Sequence, residues 1–196
     1  MNIHLASFPR SGNKYAQQLL HVLGNKCRTV YPVPSDIDEI APTWDGKETG
    51  VFLKTHELRT EEQAGIYLVR NPLDVYCSYA RYITHLTGKH TTPHELMLNT
   101  SWSSHVLSWD VPGVYLLRYE TLLTNPSAIQ KTCESLGMSS ATVNSMPDWN
   151  SLHTNCPWYY QQGRANRWKE ELTLKEVQLC VARNRDTMTR FGYYPH

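Results

Sequence analysis

The sequence predicts an α/β protein: a three-layer domain built on a central, mainly parallel sheet. Short β-rich runs alternate with longer segments in which apolar residues recur at helical spacing, as in βαβ units. Asn71-Pro72 opens one of the longer segments, with proline in the first turn of a helix, and Asn125-Pro126-Ser127 starts another. Polar residues follow each predicted strand, at the sheet edge where ligands of parallel sheets bind. We therefore expect the functional residues to lie at the strand ends.

The boundaries of these elements follow from apolar periodicity and from turn residues. The predicted strands are Ile3 to Phe8, Val51 to Lys54, Ile66 to Val69 and Val114 to Leu117. The first predicted helix follows the turn Pro9-Arg10-Ser11-Gly12 and ends at a C-cap signal, Gly24-Asn25. The other predicted helices run from Asn71 to about Tyr82, from Pro93 to Trp109, from Asn125 to about Gly137, and from Thr173 to Arg190. The segments 31–48 and 148–167 are predicted to be loops.

Length and composition narrow the classes of protein to be considered. The 196 residues fit a single domain, 1–196, and the formal net charge of +1 argues against a nucleic-acid partner. No apolar run approaches the ~20 residues of a membrane span, and the N-terminal residues lack the regions of an export signal. The five cysteines include no C-x-x-C, which is typical of free thiols in a reducing compartment. We expect a cytoplasmic protein without a membrane partner; its oligomeric state is not predicted.

The turn after the first strand combines cations with small polar residues. It contains Arg10, Ser11, Gly12, Asn13 and Lys14, and it leads into a helix N-terminus, whose N–H groups and dipole favour a phosphate. This pattern predicts a P-loop-like phosphate-binding turn. It is not a Walker A loop, which needs glycine before the lysine and a hydroxyl after it. The alternative is an ordinary strand-to-helix turn with incidental charges.

The other predicted strands also end in groups suited to a polyanion. His56, beside Lys54, is a candidate general base whose neutral form the cation favours; the alternative is a structural histidine. Arg70 follows the third strand, with Ser78 about two helical turns later, and arginine is the usual bidentate phosphate ligand, although it can also cap a helix. Tyr119 follows the fourth strand. The agreement among the strand ends indicates a site for a polyanionic ligand.

Together these segments resemble the cytosolic-type sulfotransferases that use 3′-phosphoadenosine 5′-phosphosulfate (PAPS), in a short, bacterial-like form. The matching segments follow the family's order from residue 5 to residue 173: Ser7 to Asn13, Lys54-Thr55-His56, Arg70 to Tyr79, Trp102 to Trp109, Leu117 to Glu120 with Asn125-Pro126, and Gly163 to Thr173. They cover most of the chain.

The resemblance implies a role for each matching residue. His56 would take the proton of the acceptor, while Lys54 and Arg10 would stabilise charge on the leaving group and the transferring sulfuryl oxygens. The implied cofactor-binding residues are Arg10, Ser11, Gly12, Asn13, Lys14, Tyr15, Arg70, Ser78, Tyr119, Gln162, Gly163 and Arg164. The resemblance implies no metal. His90 and His94 have the i,i+4 spacing of a metal-binding pair on a helix, but Pro93 between them interrupts the helix.

The sequence departs from the family pattern at four places. Lys14 stands where the family usually has threonine, and Tyr15 where many members stack a tryptophan on the adenine. Gln161-Gln162 replaces a basic pair, and Asn166 replaces a glycine. The 3′-phosphate would then depend more on Arg70, Ser78 and Arg164.

The implied reaction transfers a sulfuryl group from PAPS to a hydroxyl or amine of a small-molecule acceptor and releases 3′-phosphoadenosine 5′-phosphate (PAP). One alternative is a non-catalytic PAP- or nucleotide-binding protein of the same fold. A second is an ATP-dependent kinase, although the missing Walker A pattern argues against it. The acceptor itself is not predicted. Aromatic residues that would line its pocket, or pack as core or lid, lie in 31–48 (Trp44), in Tyr82–His94 and in Trp158–Tyr160.

Overall fold

A computed structural model describes residues 3–29, 50–60, 62, 64–138, 154 and 163–194. The strands are β1 (Ile3–Ser7), β2 (Asn25–Thr29), β3 (Gly50–Thr55), β4 (Ala64–Val69) and β5 (Val114–Arg118). The helices are α1 (Asn13–Val22), α2 (Pro72–Thr87), α3 (Pro93–Asn99), α4 (Trp102–Trp109), α5 (Tyr119–Thr124), α6 (Ala128–Ser135), α7 (Trp168–Glu171) and α8 (Leu174–Arg190). The predicted loop 31–48, Gln162 and Trp158–Tyr160 lie outside the described residues.

The strands form one sheet in the order β2-β3-β1-β4-β5, and every neighbouring pair is parallel. This confirms the predicted α/β class. Because all five strands run the same way, their carboxyl ends meet at one edge, with β1 between β3 and β4. Ser7, Thr55 and Val69, the last residues of these central strands, lead into the segments predicted to carry function.

Alternation along the strands separates two apolar layers. Leu5 pairs with Ile66 and packs with the apolar face of α1, together with side chains from α5 and α6. Ala6 pairs with Tyr67, and these side chains face the opposite layer, built from α2, α3, α4 and α8. Helices thus cover both faces of the sheet, which confirms the three-layer arrangement.

The missed strand, β2, lies where a C-cap was predicted. The first helix ends at Val22, Gly24 adopts φ +80°, and Asn25 already begins the strand. The sequence Asn-Lys-Cys-Arg-Thr is polar because β2 is an edge strand and lacks the apolar run that identifies the central ones.

Three of the predicted helices have different bounds, and the one predicted from Asn125 to about Gly137 begins only at Ala128 and ends at Ser135. The stretch Pro93–Trp109 was wrongly predicted as one helix: Thr100 and Ser101 are extended, and the Ser101 hydroxyl accepts from Ser104 N–H to start α4 as a separate helix. Helix α2 continues past Tyr82 to Thr87, where Gly88 ends it at φ +68°. The short helices α5 and α7 were not predicted.

The structure also describes the lengths of the apolar helices and the state of four cysteines. No helix in this part of the chain is long and apolar enough to cross a membrane. Of the five cysteines, Cys27, Cys77, Cys133 and Cys180 are described and are free thiols.

Candidate active site

The turn between β1 and α1 depends on residues in the left-handed region of backbone conformation. Arg10 has φ +67° and Gly12 φ +96°, and Ser11 N–H donates to the Phe8 carbonyl at 3.2 Å. The ring of Tyr119 occupies the space that a Cβ atom on Gly12 would need. Only glycine therefore fits this position, and the close approach brings Tyr119 against the turn.

The turn places a helix N-terminus beside a buried hydroxyl group. The N-cap residue, Gly12, has no side chain to accept from the first-turn N–H groups, which have no acceptor within the helix. Ser11 Oγ is fully buried and has no partner among the described residues. A buried orphan hydroxyl beside a helix N-terminus is explained by a ligand that accepts from it, such as an anion.

The side chain of Asn13 is used within the protein. Its amide group lies 3.2 Å from the Leu5 carbonyl, 3.1 Å from Ser7 Oγ and 3.4 Å from the Thr55 carbonyl. The amide joins the ends of β1 and β3, so any contribution of Asn13 to an anion site comes from its main-chain N–H.

Arg10, Ser78, Arg70 and Tyr119, predicted from separate parts of the sequence, lie together. Arg10 Nε donates to Ser78 Oγ at 3.2 Å, and the Arg10 guanidinium lies 4.8 Å from the ring centroid of Tyr82. Arg70 Nη1 donates to the Arg10 carbonyl at 3.1 Å, and its guanidinium lies 4.4 Å from the Tyr119 ring centroid. Arg70 Nε is buried without a partner among the described residues. Two guanidinium groups thus approach one region, an arrangement that suits a ligand with several negative charges.

Two lysines add positive charge beside the turn. Lys14, on α1, is 2% exposed, and Lys54, which pairs with Leu5 from β3, is 5% exposed. Lys14 therefore does not point to solvent. Both cations act on Cys27, where they oppose the rise that burial causes in the pKa of its thiol.

His56 is held in one tautomer by the end of β1. Its Nδ1 lies 2.8 Å from the Ser7 carbonyl oxygen and 3.3 Å from Ser7 Oγ. A carbonyl only accepts, so Nδ1 carries the proton, and the lone pair of the neutral ring is on Nε2. The pKa of His56 is lowered from 6.5 to about 4, mainly by burial and to a smaller extent by Lys54, His105 and Arg10, while the hydrogen bond to the Ser7 carbonyl acts in the opposite direction. At neutral pH the ring is an uncharged base.

The late segment that carries Gly163 and Arg164 is fastened to α2. Buried Asp74 accepts from Asn166 N–H at 2.8 Å and from Trp168 N–H at 3.0 Å. Asn166 has φ +67°, the conformation that glycine favours and asparagine tolerates. Arg164 is exposed and pairs with Glu170 at 2.7 Å. Gly163 is described, with φ +55°, but its predicted neighbour Gln162 is not.

Tyr15 belongs to the core beside α1. It is 5% exposed, and its hydroxyl lies 3.5 Å from the Leu122 carbonyl. Burial, with a smaller effect of Tyr119, raises the pKa of Tyr15 to about 12. Its predicted contact with an adenine stays a prediction.

The sequence did not assign functions to several residues that shape this site. Ser7 orients His56 and Asp74 fastens the late segment, while Tyr82, expected only as a pocket, core or lid aromatic, packs on Arg10. Tyr67 and His105 form a buried hydrogen-bond pair at 2.9 Å next to His56. The signal for His105 was its place in the Trp102–Trp109 segment; Tyr67 gave none, because in an apolar strand it looks like an ordinary core residue. No group of three or more potential metal ligands occurs among the residues described.

Comparisons with known proteins identify the fold. The scan against protein-family models finds no match, and the search of curated proteins finds no relative. Among solved structures, mouse sulfotransferase SULT7A1 complexed with PAP matches with a TM-score of 0.70 at 20% identity, over 98% of this chain and 86% of that one. Retinol dehydratase with retinol and PAP matches with a TM-score of 0.69 at 15% identity, over 95% and 81%.

The chain has the sulfotransferase fold. A second structure of retinol dehydratase, with androsterone and PAP, agrees with a TM-score of 0.67 at 14% identity, over 95% of this chain and 80% of that one. The resemblance drawn from the sequence motifs is therefore confirmed at the level of the fold.

Gly12 offers a test of the packing at the turn. We expect Gly12→Ala to destabilise the protein more than Gly88→Ala does. Both glycines have positive φ, which costs a non-glycine residue ~1 kcal/mol, but a Cβ atom at Gly88 meets nothing within 4 Å, whereas one at Gly12 overlaps Tyr119. Chemical denaturation of both variants measures the difference, and equal losses would contradict the proposed contact with Tyr119.

The lowered pKa of His56 predicts acid sensitivity. Unfolded His56 takes up a proton near pH 6.5, but folded His56 does so only near pH 4, so the unfolded state binds more protons between these values. The contribution of His56 to the free energy of unfolding should therefore be fully present above its unfolded pKa of 6.5 and be lost as the pH decreases from 6.5 towards 4. Burial lowers the pKa of His105 and His21 as well, which adds to the same trend.

Denaturation series at several pH values measure this dependence. A His56→Gln variant serves as the control, because it lacks the titrating group and should show a shallower loss of stability between pH 6.5 and 4. Parallel curves for the two proteins would mean that His56 has an ordinary pKa.

Proposed function

We propose that the protein transfers a sulfuryl group from PAPS to a hydroxyl or amine of a small-molecule acceptor, with His56 as the general base. The observation that carries the proposal is the meeting of three strand ends. The cationic turn after β1, the Lys54-Thr55-His56 segment of β3 and Arg70 after β4 come together at one sheet edge. Structural neighbours that hold PAP support the proposal.

The groups on the chain fit such a cofactor. Ser11, the N-terminus of α1, Arg10 and Lys14 would hold the 5′-phosphosulfate, because they offer an orphan hydroxyl, main-chain N–H groups and cations. Arg70 and Ser78 would hold the 3′-phosphate; Arg70 Nε has no other partner among the described residues.

The remaining predicted contacts are with the nucleoside and the late segment. Tyr119, on the Arg70 guanidinium, and Tyr15 would lie near the adenine. Gln162, Gly163 and Arg164 would close over the 3′-phosphate; for Arg164 this requires exchange of its exposed partner Glu170 for the phosphate.

In the proposed reaction, the protein positions the reacting groups and stabilises the developing negative charge. PAPS supplies the sulfuryl group and, as PAP, its leaving group. His56 Nε2 accepts the proton of the attacking hydroxyl or amine, since Nδ1–H is committed to the Ser7 carbonyl. Lys54 and Arg10 stabilise negative charge that develops on the leaving oxygen and the transferring sulfuryl group during in-line displacement. No metal is required in this scheme, because the fixed cations supply the positive charge.

The defined tautomer of His56 favours a catalytic function. A non-catalytic PAP-binding protein, the alternative, does not need a general base. The acceptor is proposed to be a small molecule because the retinol dehydratase structures contain androsterone and retinol. We place the reaction in the cytoplasm, where the four described free thiols remain reduced.

His56→Ala tests the catalytic assignment. We expect it to bind PAP as tightly as the unaltered protein but to lose ~10²- to 10⁴-fold in turnover, the usual contribution of a general base. Turnover is measured with PAPS and a panel of phenols, alcohols and amines, by mass spectrometry of the added sulfuryl group. Undiminished turnover would exclude His56 as the base, while PAP binding without transfer to any acceptor would favour a binding protein.

Arg70→Ala tests the binding assignment. Loss of a charge-assisted contact worth ~1.5–3 kcal/mol should weaken PAP about 10- to 100-fold in calorimetry. Arg183→Ala, at an exposed position of α8, makes the same charge change outside the site and should leave the affinity unaltered. Equal PAP affinity in the two variants would exclude the role of Arg70, and stronger thermal stabilisation by ATP than by PAP would favour a kinase.

A further inference from the structure

One face of α4 holds the main chain of the segment that carries His56. His105 Nε2 lies 2.9 Å from the His56 carbonyl oxygen, and Trp109 Nε1 donates to the Glu57 carbonyl at 3.0 Å. Ser108 Oγ accepts from Arg59 N–H at 3.3 Å. Three side chains within a little more than one helical turn thus bind three main-chain groups of 56–59. None of these helix residues has a part in the proposed chemistry.

The protonation of His105 follows from its two partners. The His56 carbonyl only accepts, so His105 Nε2 carries a proton, and Nδ1 of the neutral ring accepts from the Tyr67 hydroxyl at 2.9 Å. The Tyr67 oxygen in turn accepts from Phe8 N–H at 3.2 Å. The result is a directed chain of hydrogen bonds from the turn after β1, through β4 and α4, to the main chain at His56.

The surroundings keep this chain uncharged. His105 is 6% exposed and Tyr67 is fully buried, and their rings contact each other with centroids 5.7 Å apart. Burial lowers the pKa of His105, the nearby Glu57 and the His56 carbonyl oppose this, and burial raises the pKa of Tyr67. A second proton on His105 would remove the acceptor from the Tyr67 hydroxyl.

We propose that His105 is a positioning residue for proton transfer at His56. It holds the His56 carbonyl while Ser7 holds the ring, so that the base is fixed at both ends with Nε2 as its basic nitrogen. Tyr67 selects the tautomer of His105 that can donate. The proposal rests on the proposed function, since it assigns His105 a role in the reaction at His56.

Two amide substitutions of His105 separate positioning from packing. The glutamine amide reaches as far as Nε2, so His105→Gln keeps a donor for the His56 carbonyl; the shorter His105→Asn places its amide near Nδ1 and loses that donor. We expect His105→Asn to lower kcat about 10- to 100-fold, the effect of a small misplacement of a reacting group, with PAP affinity unaltered. His105→Gln should restore most of the rate.

NMR spectroscopy measures the tautomer of the His56 ring directly. Long-range ¹H–¹⁵N spectra of the PAP-bound protein should show His56 as the Nδ1–H tautomer in the unaltered protein and in His105→Gln. In His105→Asn and Tyr67→Phe, release of the His56 main chain should weaken the contact of Nδ1 with the Ser7 carbonyl, so that both neutral tautomers are populated. Leu107→Ala, at an exposed position of the same helix, controls for a general disturbance of α4 and should leave both the tautomer and kcat unchanged.

The outcomes are distinguishable. A single Nδ1–H tautomer of His56 in both His105→Asn and Tyr67→Phe would overturn the positioning role, even if the unaltered protein transfers sulfuryl groups. If the spectra change as expected but no acceptor is modified, the positioning stands and the proposed function fails. Tyr67→Phe keeps the ring and removes only the hydroxyl, so it decides the matter if His105→Asn does not fold.

Discussion

The candidate site depends first on the hydrogen bond from His56 Nδ1 to the Ser7 carbonyl, at 2.8 Å. It joins the end of β1 to the segment after β3, and it is possible because the two strands are parallel neighbours with Ala6 opposite Thr55. The Asn13 amide fastens the same corner through the Leu5 and Thr55 carbonyls and Ser7 Oγ. These hydrogen bonds join the first turn of α1, the cationic turn after β1 and His56 into one unit. Any group bound at the turn is held at a fixed place relative to His56.

The two faces of the sheet supply different components of this unit. On the α1 face, Lys14 and Lys54 bring positive charge close to the turn. On the opposite face, Tyr67 and His105 supply a chain of neutral hydrogen bonds that reaches the His56 main chain. This separation has a physical reason. Any positive charge on His105 lowers the pKa of His56, so the lowered pKa of His105, which keeps its ring neutral, limits that effect.

The sequence was sufficient for the parallel sheet and for the polar strand ends, because central parallel strands are apolar runs and their carboxyl ends must meet. It was insufficient where an edge strand, a local cap or contacts distant in sequence decide the structure. The polar edge strand β2 lacks an apolar pattern, and the break at Thr100-Ser101 is set by a local cap inside a continuous helical periodicity. The direction of the His56 pKa was foreseen from Lys54, but its main cause, burial, depends on side chains distant in sequence. Tyr67 could not be distinguished from a core tyrosine, since its function arises from His105, which is 38 residues further along the chain.

The strength of the base is coupled to the charge of what binds beside it. Burial lowers the pKa of His56 most, and this effect persists with a ligand present. The additional lowering by Lys54 and Arg10 is electrostatic, so an anion bound between these cations offsets it. An anionic group bound there would therefore raise the pKa of His56 from about 4. In the proposed reaction, His56 would then accept a proton more readily once the anion is in place. The cations proposed to stabilise the leaving group would thus also make His56 a weaker base when no anionic cofactor is bound.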